Sequence, residues 1–415
     1  MAYILLLLCV AFFGISIKLS GGVQLIDVML SVFFISVFWT VRARYHSYLL
    51  IVVFYFILVV SNVTGLLSGR NFYFEQVIFF YKYFVVLFLP LAIISVVNTK
   101  ERLFFLYRFL YLVFLVLSFW SIARVGLISS GYFRGSLRSG FPTVPLDGYS
   151  TDAHLFSCYL IMMFVAYMEF YRRFYRHTFL KTSVIVTFSL LACFGTGSRT
   201  FLLILFLYAL FFSVRWIATS LSSSYRYLGL ISLISLLSIF FIVIGVFSHS
   251  IDVLVVRIPE VDFYLSRALD FNLAQDDSSL SRISKLFIAI DSVSEVGYAL
   301  GNGPIFSDLV WYDGIISVLI AHGGLTLLFY SFLLIVFIIC SVGSAFLRSG
   351  FYNQLISFNV IFSLYCSANI VTEYVLVTRN ALPIIIFLSL YYVHFSRFKG
   401  VGIRHEYDRL NSARG

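Results

Sequence analysis

Basic side chains gather in the longest polar stretch of this chain, between residues 249 and 310. The stretch carries Arg257, Arg267, Arg282 and Lys285. Arginine keeps its charge at any working pH, and its fixed fork of N–H donors matches phosphate oxygens. Arg282 and Lys285 are three positions apart, so on a helix they share one face. The pattern indicates a site for a phosphate-bearing ligand, although lipid headgroups would suit the same two cations.

A second candidate anion site lies in the turn from Gly195 to Thr200, which reads Gly-Thr-Gly-Ser-Arg-Thr and joins two apolar runs. Its glycines permit a tight reversal, and Ser198 and Thr200 can cap the helix that follows. The exposed amides and positive dipole end of a helix N-terminus favour an anion. Arg199 would then lie at the mouth of the site. An arginine that anchors the helix at the headgroup level explains the same residue equally well.

Carboxylates and histidines supply the candidates for proton transfer. Asp313 precedes an apolar run, where a carboxylate could accept a proton from a hydroxyl group or simply cap a helix. His322 lies about two turns further on, and a histidine in an apolar segment is a functional candidate by default in membranes. Bonding to a neighbouring carbonyl is its alternative role. Asp152 and His154 open another apolar run and complete this set.

Composition excludes a soluble protein. The chain has 415 residues, of which 61% are hydrophobic and 12% charged, and its mean hydropathy is +0.99. Soluble domains are about 45–50% apolar. Because backbone amides in hydrocarbon must bond within their own segment, each crossing needs roughly 20 apolar residues. The sequence therefore predicts an all-α, polytopic membrane protein, with residues 1–415 forming one transmembrane domain.

Apolar runs number about twelve, which predicts about 12 transmembrane helices. They lie near residues 2–18, 23–41, 47–66, 74–97, 103–125, 151–170, 182–195, 200–217, 227–247, 315–343, 354–372 and 380–396. Most basic residues fall in alternate loops, so the positive-inside rule places both termini, including the tail 397–415, in the cytoplasm. The long outward loops are 126–150 and 248–310, the latter between the ninth and tenth spans.

Arginine on the outward side is unexpected, because orientation alone favours its absence there. Nine arginines map to that side: Arg70, Arg124, Arg134, Arg138, Arg199, Arg257, Arg267, Arg282 and Arg379. Lys82 lies inside the fourth span, toward its outward half, and could snorkel outward or reach into a cavity. An anionic ligand bound outside explains this distribution.

Several common functional motifs are missing. The five cysteines lie singly with no CxxC, which argues against a disulfide framework, a zinc site or a redox motif. No DxD, Walker or HExxH sequence occurs, so neither a cofactor nor a catalytic metal is expected. The net charge of +10 is spread over short loops and forms no patch for nucleic acid.

The order of short motifs resembles the bacterial O-antigen polymerase and O-antigen ligase superfamily. The motifs are Gly-Thr-Gly-Ser-Arg199, Ser-Arg282-Ile, Leu-Gly-Asn-Gly303, Asp313 and Gly-Gly-Leu325, with Asp152-Ala-His154-Leu opening an earlier span. The resemblance covers roughly residues 140 to 345. It implies a metal-independent, inverting glycosyltransferase with a GT-C-like helical membrane fold. Such an enzyme acts in lipopolysaccharide biosynthesis at the periplasmic face of the bacterial inner membrane.

The resemblance also implies substrates and residue roles. A polymerase moves the growing glycan from undecaprenyl diphosphate onto the non-reducing end of a new lipid-linked repeat unit, whereas a ligase transfers it to lipid A core. Arg199 and Arg282 match the arginines that bind the diphosphate. Asp313 becomes the expected general base, and His322 and Asp152 are the reserves.

The remaining substrate-binding expectations are Lys285, Arg257, His154 and Ser198. The ligase pattern has a His-Asn pair where this chain reads Tyr312-Asp313, which favours a polymerase. Membrane lipids, a chain-length regulator and a flippase are the other partners expected. A transporter for the same lipid-linked oligosaccharide is the alternative from another class, because it too needs a cationic cavity.

Overall fold

Helices make up most of the computed structural model of the protein. It describes residues 1–15, 17, 24–38, 45–129, 138–143, 150–198, 200–220, 277–294, 298–307, 314–348, 350–371 and 378–398. The α-helices are α1 (Ala2–Phe12), α2 (Leu25–Phe38), α3 (Tyr45–Leu67), α4 (Ile78–Val96), α5 (Lys100–Ser129), α6 (Ala153–Ala166), α7 (Arg172–Phe174), α8 (Phe179–Phe194), α9 (Thr200–Ser220), α10 (Asp277–Ser294), α11 (Ile315–Arg348), α12 (Tyr352–Val371) and α13 (Thr378–Arg397).

Shorter elements join some of these helices. Phe74–Val77 and Pro304–Phe306 are 3-10 turns, and Tyr167–Tyr171 is a π-helical segment between α6 and α7. Two short antiparallel strands pair here: β1 (Phe141–Pro142) lies within the predicted outward loop 126–150, and β2 (Ser150–Thr151) lies at its end.

This helical content agrees with the prediction of an all-α membrane protein. A helix lies at every predicted apolar run except 227–247, which is outside the described residues. Five helices in the described part are long and apolar enough to cross a bilayer: Ser47–Leu67, Ile78–Val96, Lys100–Ile128, Ala153–Phe174 and Ile315–Arg348. The predicted loop 248–310 contains α10, and most of the predicted tail 397–415 is outside the described residues.

Contacts divide the chain into two compact units. Unit 1 contains residues 1–114, 167–176 and 277–415, and unit 2 contains residues 115–166 and 177–276. In unit 2, α6 packs against both α8 and α9 and is buried from Leu155 to Ala166. In unit 1, α11 packs against α3, α10 and α12, and α4 packs against α13. The core of unit 1 beside α11 includes Phe54, Leu58, Tyr83 and Leu327.

Helix α11 is interrupted at Gly324, whose φ of 60° lies in the left-handed region. The interruption releases backbone groups from their helical partners, and unsatisfied groups are costly at membrane depth. The loop before α11 replaces these bonds. The Leu325 amide donates to the Tyr298 carbonyl at 2.9 Å, and the Asn302 amide donates to the Ala321 carbonyl at 3.0 Å. The loop and the interrupted helix therefore form one hydrogen-bonded structure.

Gly301 is required for this close approach. A Cβ at Gly301 would lie 2.7 Å from the Ala321 carbonyl oxygen and from the amides of Gly323 and Gly324. We expect Gly301→Ala to destabilise the protein by about 1–3 kcal/mol because the neighbouring groups are backbone and must shift. Thermal unfolding in detergent measures the effect. Gly343→Ala is the matched control, since a Cβ at Gly343 meets nothing within 4 Å, and unchanged stability of Gly301→Ala would contradict the packing argument.

Candidate functional site

Four helix ends meet at one end of unit 2. The Ser121 hydroxyl in the second half of α5 donates to the Ala192 carbonyl near the end of α8 at 2.7 Å, and α6 and α9 begin at this end. A small ribbon covers this end. Phe141 of β1 pairs with Thr151 of β2, and the Trp120 indole donates to the Gly140 carbonyl at 3.1 Å. The ribbon thereby connects the last turns of α5 with the first turn of α6.

Arg138 contacts the turn between α8 and α9, and Arg124 contacts Arg138. Arg138 donates from Nε to the Thr196 carbonyl at 3.3 Å, and the Ser139 amide donates to the Gly195 carbonyl at 2.8 Å. Arg124 is 1% exposed and donates to the Arg138 carbonyl. A buried guanidinium is costly unless it is well bonded. Arg124 therefore holds the loop, and the loop places Arg138 on the turn.

Ser198 caps α9, as the sequence predicts. Its hydroxyl accepts a hydrogen bond from the Thr200 amide at 3.4 Å and donates to the Thr200 hydroxyl at 3.3 Å. Arg199 stands between these two residues in the chain and lies outside the described residues. The first amides of α9 carry the positive end of the helix dipole. Arg138, which contacts the Thr196 carbonyl in the turn before α9, adds a positive charge at this end of unit 2.

Asp152 and His154 lie at the same end of unit 2. Asp152 directly follows β2, and its carbonyl accepts the Phe156 amide at 2.9 Å at the start of α6. Its φ of 54° is in the left-handed region, which aspartate tolerates better than most residues. Non-glycine residues in this region occur preferentially at functional sites. Asp152 and His154 are both partly exposed. They lie at the start of α6, which packs against α8 and α9.

In unit 1, His322 is buried between α4 and α11. It is 1% exposed, and its Nδ1 is 2.9 Å from the Tyr83 hydroxyl. The Phe79 ring contacts the imidazole edge-on at 4.9 Å between centroids. The Lys82 ammonium lies 4.8 Å from the centre of the same Phe79 ring. His322 is thus engaged with aromatic side chains of α4.

Arg282 and Lys285 both lie on α10, so their spacing of three positions places them on one face of a helix. Lys285 is partly exposed, and the side chain of Arg282 is outside the described residues. Helix α10 is attached at its far end, where Arg70 and Asn302 each donate to the Ser292 carbonyl at 3.0 Å. These bonds fix the helix that carries the two cations to the loop that precedes α11.

Two further predicted residues, Asp313 and Arg257, lie outside the described residues, so their roles stay predictions. Asp313 immediately precedes Gly314, which is buried and has a φ of 123°, and α11 begins at the next residue. Proton acceptor and helix cap both stay predictions for Asp313.

The site residues belong to different units. Ser198, Asp152 and His154 lie in unit 2, whereas Lys285 and His322 lie in unit 1. Sequence reasoning did not find the Tyr83 partner of His322 or the contact of Arg138 with the turn. The first pair is 239 positions apart in the chain and the second pair 58. No local pattern signals such contacts.

Among the described residues, no three or more His, Cys, Asp or Glu side chains are grouped as metal ligands. Comparison with known proteins returns no match: no family model, curated protein or solved structure is significantly similar to the chain.

Proposed function

We propose that the protein is an O-antigen polymerase. It transfers the growing glycan from undecaprenyl diphosphate onto the non-reducing end of a new lipid-linked repeat unit. The observation that carries the proposal is the cationic end of unit 2, where Arg124 and Arg138 support the turn before α9. The order of motifs in the sequence supports it independently.

A diphosphate leaving group would account for the positive charge at this end of unit 2. When the glycosidic bond to the carrier breaks, negative charge develops on the diphosphate. Preorganised donors that face this charge lower the barrier. We assign this role to the other amides in the first turn of α9 and to the guanidinium groups of Arg138 and Arg199. Arg282 and Lys285, which α10 carries, are the other predicted diphosphate contacts.

The acceptor sugar needs a base to remove its hydroxyl proton. Asp313 is our first assignment, because the sequence has Tyr312-Asp313 where the ligase pattern has its His-Asn pair. Asp152 is the reserve in unit 2. His322 is the second reserve, and its contacts with Phe79 and Tyr83 favour a supporting role.

The proposed setting is the bacterial inner membrane, with both termini cytoplasmic and the active site facing the periplasm. The basic loops predict this orientation. Donor and acceptor are both undecaprenyl-diphosphate-linked oligosaccharides. A flippase would supply these substrates, and a chain-length regulator would control the length of the product. No nucleic acid is expected as a partner.

Reconstitution tests the proposal. Purified full-length protein in proteoliposomes, given lipid-linked repeat units, should produce a ladder of longer lipid-linked glycans and release undecaprenyl diphosphate. Glycan transfer that requires lipid A core as the acceptor would instead indicate an O-antigen ligase. Movement of the substrate across the vesicle without any chain growth would indicate a flippase. Either of these two results rejects the polymerase.

A further inference from the structure

Lys82 is a cation inside a membrane-spanning helix. It is the fifth residue of α4, which is one of the helices long and apolar enough to cross a bilayer. Its side chain is partly exposed. An ionisable residue in such a segment is costly and marks a functional site by default. None of the roles assigned above uses Lys82.

The ammonium of Lys82 is supported by a stack of side chains. It lies over the ring of Phe79, 4.8 Å from the centroid, a cation–π contact. Phe79 is 8% exposed and contacts His322 edge-on, and His322 is hydrogen-bonded to Tyr83. A lysine that only snorkels to the headgroups needs no such backing. The Phe79 ring therefore favours one position of the ammonium.

This stack lies at the end of unit 1 that holds the loop before α11. The Tyr73 amide, just before α4, donates to the Ile305 carbonyl at 2.9 Å. The Asn302 amide of the same loop donates to the Ala321 carbonyl, next to His322. The basic loops predict that this end faces the periplasm, where the lipid-linked substrates are used.

We propose that Lys82 contacts the phosphate end of a second polyprenyl-linked substrate, and that Phe79, His322 and Tyr83 position its ammonium. The inference rests on the proposed function, because a polymerase handles two polyprenyl diphosphates while the cationic end of unit 2 accounts for one. Lys82 is a point charge with three donors, which suits phosphate oxygens. Tyr83 and His322 are positioning residues.

Native mass spectrometry of the detergent-purified full chain with undecaprenyl diphosphate tests the proposal by counting bound carriers. The wild-type protein should bind two. Lys82→Met should weaken one of the two binding events by about tenfold or more, since a hydrogen bond to a charged group is lost. Lys82→Arg should retain both, and the binding event that Lys82→Met retains shows that the Met variant is folded. Lys181→Met, at an exposed lysine in the first turn of α8, is the control and should bind like the wild type.

Two further arms separate positioning and lipid source. Tyr83→Phe should weaken the same binding event by about threefold, while Tyr330→Phe, which loses a hydrogen bond from α11 to the Leu50 carbonyl, should not. Phosphatidylglycerol at equal concentration should leave both carriers bound. Two carriers bound to Lys82→Met at wild-type affinity, or displacement of one carrier by phosphatidylglycerol, would overturn the proposal.

Binding and turnover distinguish this inference from the proposed function. If the wild-type protein binds two carriers but builds no ladder, the Lys82 site is supported and the polymerase proposal is rejected. If the wild-type protein builds a ladder and Lys82→Met binds both carriers with wild-type affinity, the polymerase proposal is supported and the Lys82 site is rejected.

Discussion

Replacing Arg199 by alanine should reduce chain elongation by about 10²- to 10³-fold, the usual cost of removing one donor to developing negative charge. Arg199 stands between Ser198, which caps α9, and Thr200, where α9 begins. Arg282→Ala should act in the same direction from α10. The measurement is the rate at which purified protein lengthens lipid-linked repeat units. In cells, both variants should leave single repeat units on lipid A core, because ligation is the task of a separate protein.

The control for these arginine variants is Arg173→Ala, because Arg173 is an exposed arginine in the short helix α7 and has no assigned role. Its elongation rate and chain lengths should equal those of the wild type. Arg199→Lys adds a finer test, because lysine keeps the charge and loses the planar fork. We expect an intermediate rate for Arg199→Lys. Wild-type chain lengths in Arg199→Ala or Arg282→Ala would remove the diphosphate role from that residue.

Asp313→Asn should lower turnover by about 10²- to 10⁴-fold, the range that general bases contribute. The substitution keeps the side-chain volume and removes the proton acceptor. Affinity for the carrier should change little, because the diphosphate contacts are assigned to other residues. The measurement is turnover at saturating donor and acceptor, with carrier binding measured in parallel.

Glu101→Gln is the matched control for the carboxylate, since Glu101 is exposed in the first turn of α5. Turnover of this control should be unchanged. Near-normal turnover of Asp313→Asn would move the base to Asp152 or His322. Asp152→Asn and His322→Gln then separate these two, because they lie in different units.

The helices follow from the sequence because each long apolar run must satisfy its own backbone in hydrocarbon. The runs beginning near residues 47, 103 and 315 correspond to α3, α5 and α11. Capping of α9 by Ser198 was also predictable, since serine before an apolar run is a local signal. These features depend on neighbours in the chain.

The parts that could not be predicted depend on contacts between distant segments. Helix α10 lies in a passage read as a loop, because its polar sequence has no continuous apolar run. The loop at Asn302 packs against the interruption at Gly324 through backbone hydrogen bonds. Backbone contacts between separate segments leave no signal in the sequence. The glycine pair Gly323 and Gly324 was a visible signal for an interruption, but its partner was not. The same holds for Arg138 and its contact with Thr196.

Arg124 shows why residue type alone was insufficient. The sequence placed it among nine arginines on the outward side without ranking it. The structure buries it to 1% exposure and bonds it to the Arg138 carbonyl, so its role is to hold the loop. Arg138, partly exposed on the turn, is the better candidate for contact with a ligand.

The most direct test of the account is an experimental structure of the full chain with undecaprenyl diphosphate bound. We predict that the diphosphate lies at the start of α9, within hydrogen-bond distance of its first amides and of the Arg138 or Arg199 guanidinium. A diphosphate bound away from this end of unit 2, with α9 uncontacted, would contradict the account.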